Sequence, residues 1–297
     1  MTANTETPRG ARLWLAGARP RTLGAAVAPV LVGTAAGSSA AGQLLALRAL
    51  LALVVAVALQ VGVNYANDYS DGVRGADAER VGPLRLTASG LVPAAAVRRA
   101  ALGAFAVAAV VGLALSLLVE PWLLLVGAAA IVAAALYTGG PRPYGYLGLG
   151  EAMVLVFFGF VATAGSAYVQ LGRVPATAWW GSAAVGLLAA AVLATNNIRD
   201  RAGDAVVGKR TLAVRLGDRG ARLLYVSCVG GAFAAVVGIG TVHPWALLGL
   251  AALPLAVAPA GRVLHGASGP ALIPALVATV RLELVAAALL AIGLWIS

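Results

Sequence analysis

The 297-residue chain has one cysteine, one lysine, two histidines and eleven Asp and Glu residues, and only 11% of it is charged, against about a quarter in soluble domains. The lone Cys228 excludes an internal disulfide and reads as a small packing residue inside an apolar run. His243 and His265 stand singly at the ends of apolar runs, so each reads as an interfacial side chain rather than a metal ligand. No short apolar run with a small-residue cleavage site precedes Pro20, so the arginine-bearing segment from Met1 to Arg21 is expected to stay attached.

What fills the chain is apolar: 61% hydrophobic residues and a mean hydropathy of +0.92. Windows of roughly 20 apolar residues, enough to cross about 30 Å of hydrocarbon, recur along it. Its Ala, Leu, Val and Gly suit close helix packing rather than the alternation of a barrel. The expected architecture is all-α: a polytopic bundle with nine spans near 22–38, 44–67, 95–118, 121–138, 149–171, 177–198, 220–241, 244–262 and 274–296. The net charge of +10 is scattered between spans, which argues against a nucleic-acid partner. Sorted by the intervening loops, nineteen of the 21 Lys and Arg fall on the N-terminal side, leaving Arg48 and Arg173 opposite. The positive-inside rule then places the N-terminus in the cytoplasm and, with nine spans, the C-terminus outside. One span more or fewer before residue 199 would send the seven basic residues from Arg199 to Arg222 outward.

Six of the eleven acids crowd into two stretches, "NYANDYSDGVRGADAE" (Asn64 to Glu79) and "NNIRDRAGD" (Asn196 to Asp204). Each ends a long apolar span, and the parity brings both to the cytoplasmic side. On a helix, Asn64, Asn67, Asp68 and Asp71 fall within an arc of about 100°, as do Asn196, Asn197, Asp200 and Asp204. A carboxylate near the bilayer centre costs about 2.5 to 3.5 kcal/mol on insertion scales, so several together call for a wet cavity or a cation. All-oxygen donors suit a hard ion such as Mg²⁺, which commonly completes its shell with substrate phosphate. Arg74, Arg80, Arg85, Lys209 and Arg210 stand close by in sequence to reach phosphate oxygens.

The second stretch forms DxxxD from Asp200 to Asp204. The first reads NxxNDxxDxxxGxD, with Gly72 where the commoner NxxxDxxxD form has an acid. Together with "RPRTLGAAVAPVLVGTA" (Arg19 to Ala35), "GPLRLTASG" (Gly82 to Gly90), "YTGGPRPYGYLGLGE" (Tyr137 to Glu151) and "NNIRDRAGDAVVGKRTLAVRLG" (Asn196 to Gly217), these blocks span nearly the full chain. In that order the sequence resembles the UbiA superfamily of intramembrane prenyltransferases, and in its first motif the 1,4-dihydroxy-2-naphthoate polyprenyltransferase branch.

The resemblance implies nine transmembrane helices around a large cavity beneath a cytoplasmic cap, with 1–18 a polar cytoplasmic segment and 19–297 a single membrane domain. It implies a multi-pass cell-membrane enzyme whose site opens to the cytoplasm. That enzyme would join a polyprenyl diphosphate to 1,4-dihydroxy-2-naphthoate, releasing diphosphate and carbon dioxide and yielding a demethylmenaquinone. One or two Mg²⁺ ions would bridge the diphosphate, held by Asn64, Asp68, Asp71, Asp200 and Asp204, with Asp77 a further member. Arg74, Lys209 and Arg21 would clamp phosphate oxygens, and Asn67 would touch the substrate.

An allylic cation needs π faces and protection from water. Tyr65, Tyr137, Tyr144 and Tyr146 are either those faces or interfacial anchors. Arg142 is the candidate for the acceptor's carboxylate. Two alternatives remain: a related transferase with another aromatic acceptor, such as 4-hydroxybenzoate, and a cation or proton transporter, which would hold its acids near the bilayer midplane.

Overall fold

A computed structural model describes residues 10–75 and 84–296. All regular structure among them is helical. A short helix α1 (Ala11–Ala18) and a 3₁₀ turn (Pro20–Thr22) lead into α2 (Gly24–Ala41), α3 (Ala46–Val73), α4 (Ala94–Leu118) and α5 (Leu123–Leu136). Next comes one continuous span, Gly150–Leu171. It begins as α6 (Gly150–Val154), runs as a π-helix over Leu155–Ala164 and ends as α7 (Gly165–Leu171). The helices α8 (Ala176–Val206), α9 (Leu212–Gly240), α10 (Pro254–Leu264) and α11 (Ile273–Ile296) complete the bundle, a 3₁₀ segment (Pro244–Ala252) preceding α10.

Seven of these helical stretches are long and apolar enough to cross a membrane, and the bent pair Pro244–Ala252 and Pro254–Leu264 makes an eighth if taken as one span. The ninth expected span is α5, whose 14 residues extend about 21 Å, short of the hydrocarbon thickness. The 45° bend in the eighth falls at Pro254, which has no N–H to donate. Pro93 and Pro175 stand directly before α4 and α8, where a missing amide hydrogen leaves nothing unsatisfied. Gly42 and Gly172 close α2 and α7 in the left-handed conformation that a side chain disfavours.

Two expected boundaries move in a way that matters. Helix α3 runs past residue 67 to Val73, and α8 runs past 198 to Val206, so Asp68 and Asp71, like Asp200 and Asp204, lie in the last turns of long apolar helices. The expected seventh span starts after Gly217, where φ 70° and ψ −176° interrupt α9. The N-terminal segment also has structure: α1 packs on α3, with the Tyr65 hydroxyl donating to the Trp14 carbonyl at 2.8 Å.

Helices α2 and α8 are mostly buried, whereas few residues of α3 and α4 are, α3 being largely half-buried along the cavity. Glycine lets backbones touch at the centre. A Cβ on Gly33 of α2 would overlap the Thr163 carbonyl oxygen, and one on Gly159 would lie 2.7 Å from the Ser182 carbonyl of α8. At the end opposite the Asp-rich stretches, Arg48 donates to the Val169 and Leu118 carbonyls, and Gln170 pairs with the Leu45 backbone. Gly33→Ala is expected to destabilise the bundle by about 1–3 kcal/mol through overpacking, seen as a lower unfolding midpoint in detergent; an unchanged midpoint would show that the contact has slack.

Candidate active site

The ends of helices α3 and α8 are joined through one lysine. Lys209, just beyond α8, places Nζ 3.6 Å from Asp204 Oδ1 and 3.8 Å from Asp71 Oδ2. Its position is set by the chain: the Lys209 N–H donates to the Asp204 carbonyl and the Arg210 N–H to the Tyr146 carbonyl, at 2.8 and 3.0 Å. Two carboxylates, one from each stretch, are therefore aimed at a single cationic position, and all three side chains are largely buried.

Tyr146 organises the same spot from the loop between α5 and α6. Its hydroxyl donates to Asp71 Oδ1 at 2.6 Å. Its ring lies 4.9 Å from Lys209 Nζ and 5.5 Å from the Arg74 guanidinium carbon, within cation–π range. Burial, then the charge and hydrogen bond of Asp71, raise the Tyr146 phenol, and Arg74 opposes this only partly. The ring therefore stays a neutral donor at physiological pH. Arg74 itself is fixed by the Thr138 and Gly140 carbonyls.

The remaining expected ligands have other partners. Asp200 takes a two-pronged hydrogen bond from Arg199, 2.7 Å on each prong. Asp68, wholly buried, accepts the Leu86 and Thr87 N–H groups at 2.8 Å on its two oxygens, so it fastens the chain entering α4. Asn64 donates to the Ala18 carbonyl and the Thr22 hydroxyl and accepts from Gln60, tying α3 to the α1–α2 junction. Asp77 and Arg80 lie outside the described residues. Among the described residues, no three His, Cys, Asp or Glu side chains gather closely enough to hold a metal ion. The donor set still fits a hard cation, because Lys209 already stands as a positive charge between Asp71 and Asp204, and carboxylate oxygens are the donors Mg²⁺ takes.

A cavity of about 520 Å³ starts one turn away from Asp71 and runs between α2, α3, α4, α5, the α6–α7 span and α8, a size typical of ligand pockets. Its polar end carries Arg19, Thr22, Asn64, Asn67, Tyr137 and Asn196. Asn67 accepts from the Thr138 hydroxyl at 2.7 Å. Tyr137 and Tyr144 meet edge to face, centroids 5.5 Å apart, and both line the cavity; burial pushes the Tyr144 phenol up to about 12. Tyr65 instead faces Trp14, and Arg21 and Arg142 are exposed and outside the cavity wall.

Arg19 is the residue that sequence reasoning passed over. It lines the cavity and is the sole non-glycine residue with positive φ among those described, at 54°. It was legible only as the first arginine of "RPRTL". Asn197 turns away from the cavity to donate to Glu151 at 2.9 Å, a second pairing that no spacing rule announces.

Residues 26–271 match the UbiA prenyltransferase family. The chain is 50% identical to the 1,4-dihydroxy-2-naphthoate octaprenyltransferase of Mycobacterium tuberculosis over 89% of its own length and 90% of the relative's. It is 39% identical to the Escherichia coli protein of that name, over 96% and 95%. In fold it resembles a UbiA homolog from Aeropyrum pernix, TM-score 0.69 at 17% identity over 90% and 97%. It also resembles one from Archaeoglobus fulgidus bound to DMAPP and Mg²⁺, TM-score 0.57 at 17% identity over 93% and 98%. A helical bundle in which Lys209 joins two Asp-bearing helix ends, matched in sequence over most of its length, belongs to the UbiA prenyltransferase family.

Proposed function

We propose that the chain transfers a polyprenyl group from its diphosphate to 1,4-dihydroxy-2-naphthoate, with Mg²⁺, giving the reduced, quinol form of a demethylmenaquinone. The observation that carries this reading is the Lys209 ammonium set between Asp71 and Asp204, with Asp71 one helical turn from Asn67 at the polar end of a largely apolar cavity. The naphthoate octaprenyltransferases that share up to half its residues support the acceptor.

Asp71 and Asp204 are the first candidates to hold the metal, with Asp200 next once Arg199 releases it. Asn64 and Asp68 keep the frame around them. One or two Mg²⁺ ions, when bound, supply positive charge to the departing diphosphate. Lys209 and Arg74, steadied by Tyr146, reach the phosphate oxygens, and Asn67 touches the same group. The allylic C–O bond breaks with its electron pair on the diphosphate. The cation left behind faces Tyr137 and Tyr144 in an apolar wall that excludes water. The ring carbon bearing the acceptor's carboxylate forms the new bond, and the bond to that carboxylate breaks to release carbon dioxide. Arg21 and Arg142, exposed, draw the anionic substrates in rather than grip them.

The motif end, with Arg74, Arg199, Arg201 and Arg210 beside Lys209, would face the cytoplasm, and the end with Arg48 and Arg173 the outside. Residues 19–297 would form the membrane domain, with α1 of the preceding segment packed on it.

Purified protein given octaprenyl diphosphate and either 1,4-dihydroxy-2-naphthoate or 4-hydroxybenzoate, with and without Mg²⁺, should yield a prenylated product by mass spectrometry only with the naphthoate and the metal. Product from 4-hydroxybenzoate alone would select the other acceptor class, and turnover without divalent metal would remove the metal's role. Asp71→Asn and Asp204→Asn, which keep the side chain's volume and an acceptor oxygen beside Lys209, should each lower turnover by about 100-fold or more in protein that still folds. Asp68→Ala should also lower the midpoint, because two backbone N–H groups lose their acceptor at about 1–3 kcal/mol each.

A further inference from the structure

Beyond its polar end the cavity has a wall of unusual winding. An α-helix closes a turn every 3.6 residues. The π-helix over Leu155–Ala164 winds more widely. Phe157, Val161 and Gly165, and alongside them Phe158, Ala162 and Ser166, all line the cavity in steps of four. Away from the motifs, these files pass from a pair of phenylalanine rings to alanine, glycine and serine.

Three of the glycines that line the cavity lie on three different elements around it, Gly112 on α4, Gly127 on α5 and Gly165 on α7. A Cβ built on Gly127 or Gly165 meets nothing within 4 Å, and one on Gly112 meets only a Val55 methyl at 3.9 Å. Close helix packing, which explains Gly33 and Gly159, does not explain them. Backbone conformation does not either, since none of the three has positive φ. Each instead carries the helix penalty of glycine, about 1 kcal/mol against alanine. What they provide is volume. Gly127 stands ten residues from Tyr137 on the same stretch, about 15 Å along a helix, so the volume lies deep, past the aromatic pair.

We propose that Gly112, Gly127 and Gly165 are specificity-determining residues that keep open the chamber for the distal isoprene units of a long donor. A side chain at any of them shortens the longest prenyl diphosphate accepted. This rests on reading the cavity as the site of the donor's tail.

The test compares geranyl and octaprenyl diphosphate as donors to the full-length protein in detergent, in the wild type and in Gly112→Leu, Gly127→Leu and Gly165→Leu. Gly103→Leu is the control, because Gly103 is exposed on α4, outside the cavity, with equally open space around its Cβ. The ratio of kcat/KM for the long donor to that for the short one should fall by about tenfold or more in the three cavity variants, and the control should keep the wild-type ratio. Gly127→Ala and Gly165→Ala, which have room for the methyl group, should fold with an unchanged or higher unfolding midpoint and lower the ratio in the same direction; they decide the matter if a leucine variant does not fold. A wild type that uses both donors, with ratios in every cavity variant within about twofold of its own, overturns the gauge alone. A wild type that uses neither donor overturns the functional reading and the gauge with it.

Discussion

The structure depends on cations placed where two membrane helices end in carboxylates. The C-terminus of a helix already carries partial negative charge from its free carbonyls, and both α3 and α8 add aspartates in their last turns. Two such ends brought together would repel strongly in a medium of low dielectric. Lys209 between Asp71 and Asp204 offsets that repulsion, Arg199 does the same for Asp200, and Arg74 stands at the end of α3. The neutral Tyr146 satisfies a further carboxylate oxygen without adding charge. An arrangement in which carboxylates and cations are already balanced can exchange a lysine for a divalent ion and an anionic substrate with little change in net charge.

The amides of the two stretches divide between the cavity and the scaffold. Asn67 and Asn196 border the cavity and Asn197 is turned to Glu151. Asn64 does both, since it lines the cavity and bonds to the turn before α2. The amides of the polar rim thus sit on two helices, α3 and α8, whose rotation the bonds of Asn64 and Asn197 help to fix.

Much of this was legible in the sequence because the signals were local or binary. Long apolar windows mark where helices are, and Asp71, Asp204 and Lys209 stood out because acids and lysine are so scarce. The direction of a carboxylate was not legible. Asp68 lies on the same helical arc as Asp71, yet it bonds the Leu86 and Thr87 amides, a contact made only after the chain has returned from a region without periodicity. Arg19 was hidden for a related reason, since left-handed backbone at an arginine is decided by the turn between α1 and α2 and leaves no compositional mark. The bend at Pro254 and the π winding between residues 155 and 164 likewise come from packing and hydrogen bonding, to which hydropathy is blind.

The glycine contacts at Gly33 and Gly159 divide the chamber mechanically. Backbone-to-backbone contact with α2 on one side and α8 on the other leaves the π-wound segment no freedom to shift without carrying both neighbours, so this face behaves as a stiff wall. Facing it, α5 is short and buries only Ala133 among its own residues, so few contacts resist its displacement. A displacement of α5 would therefore break fewer contacts than one of the π-wound span.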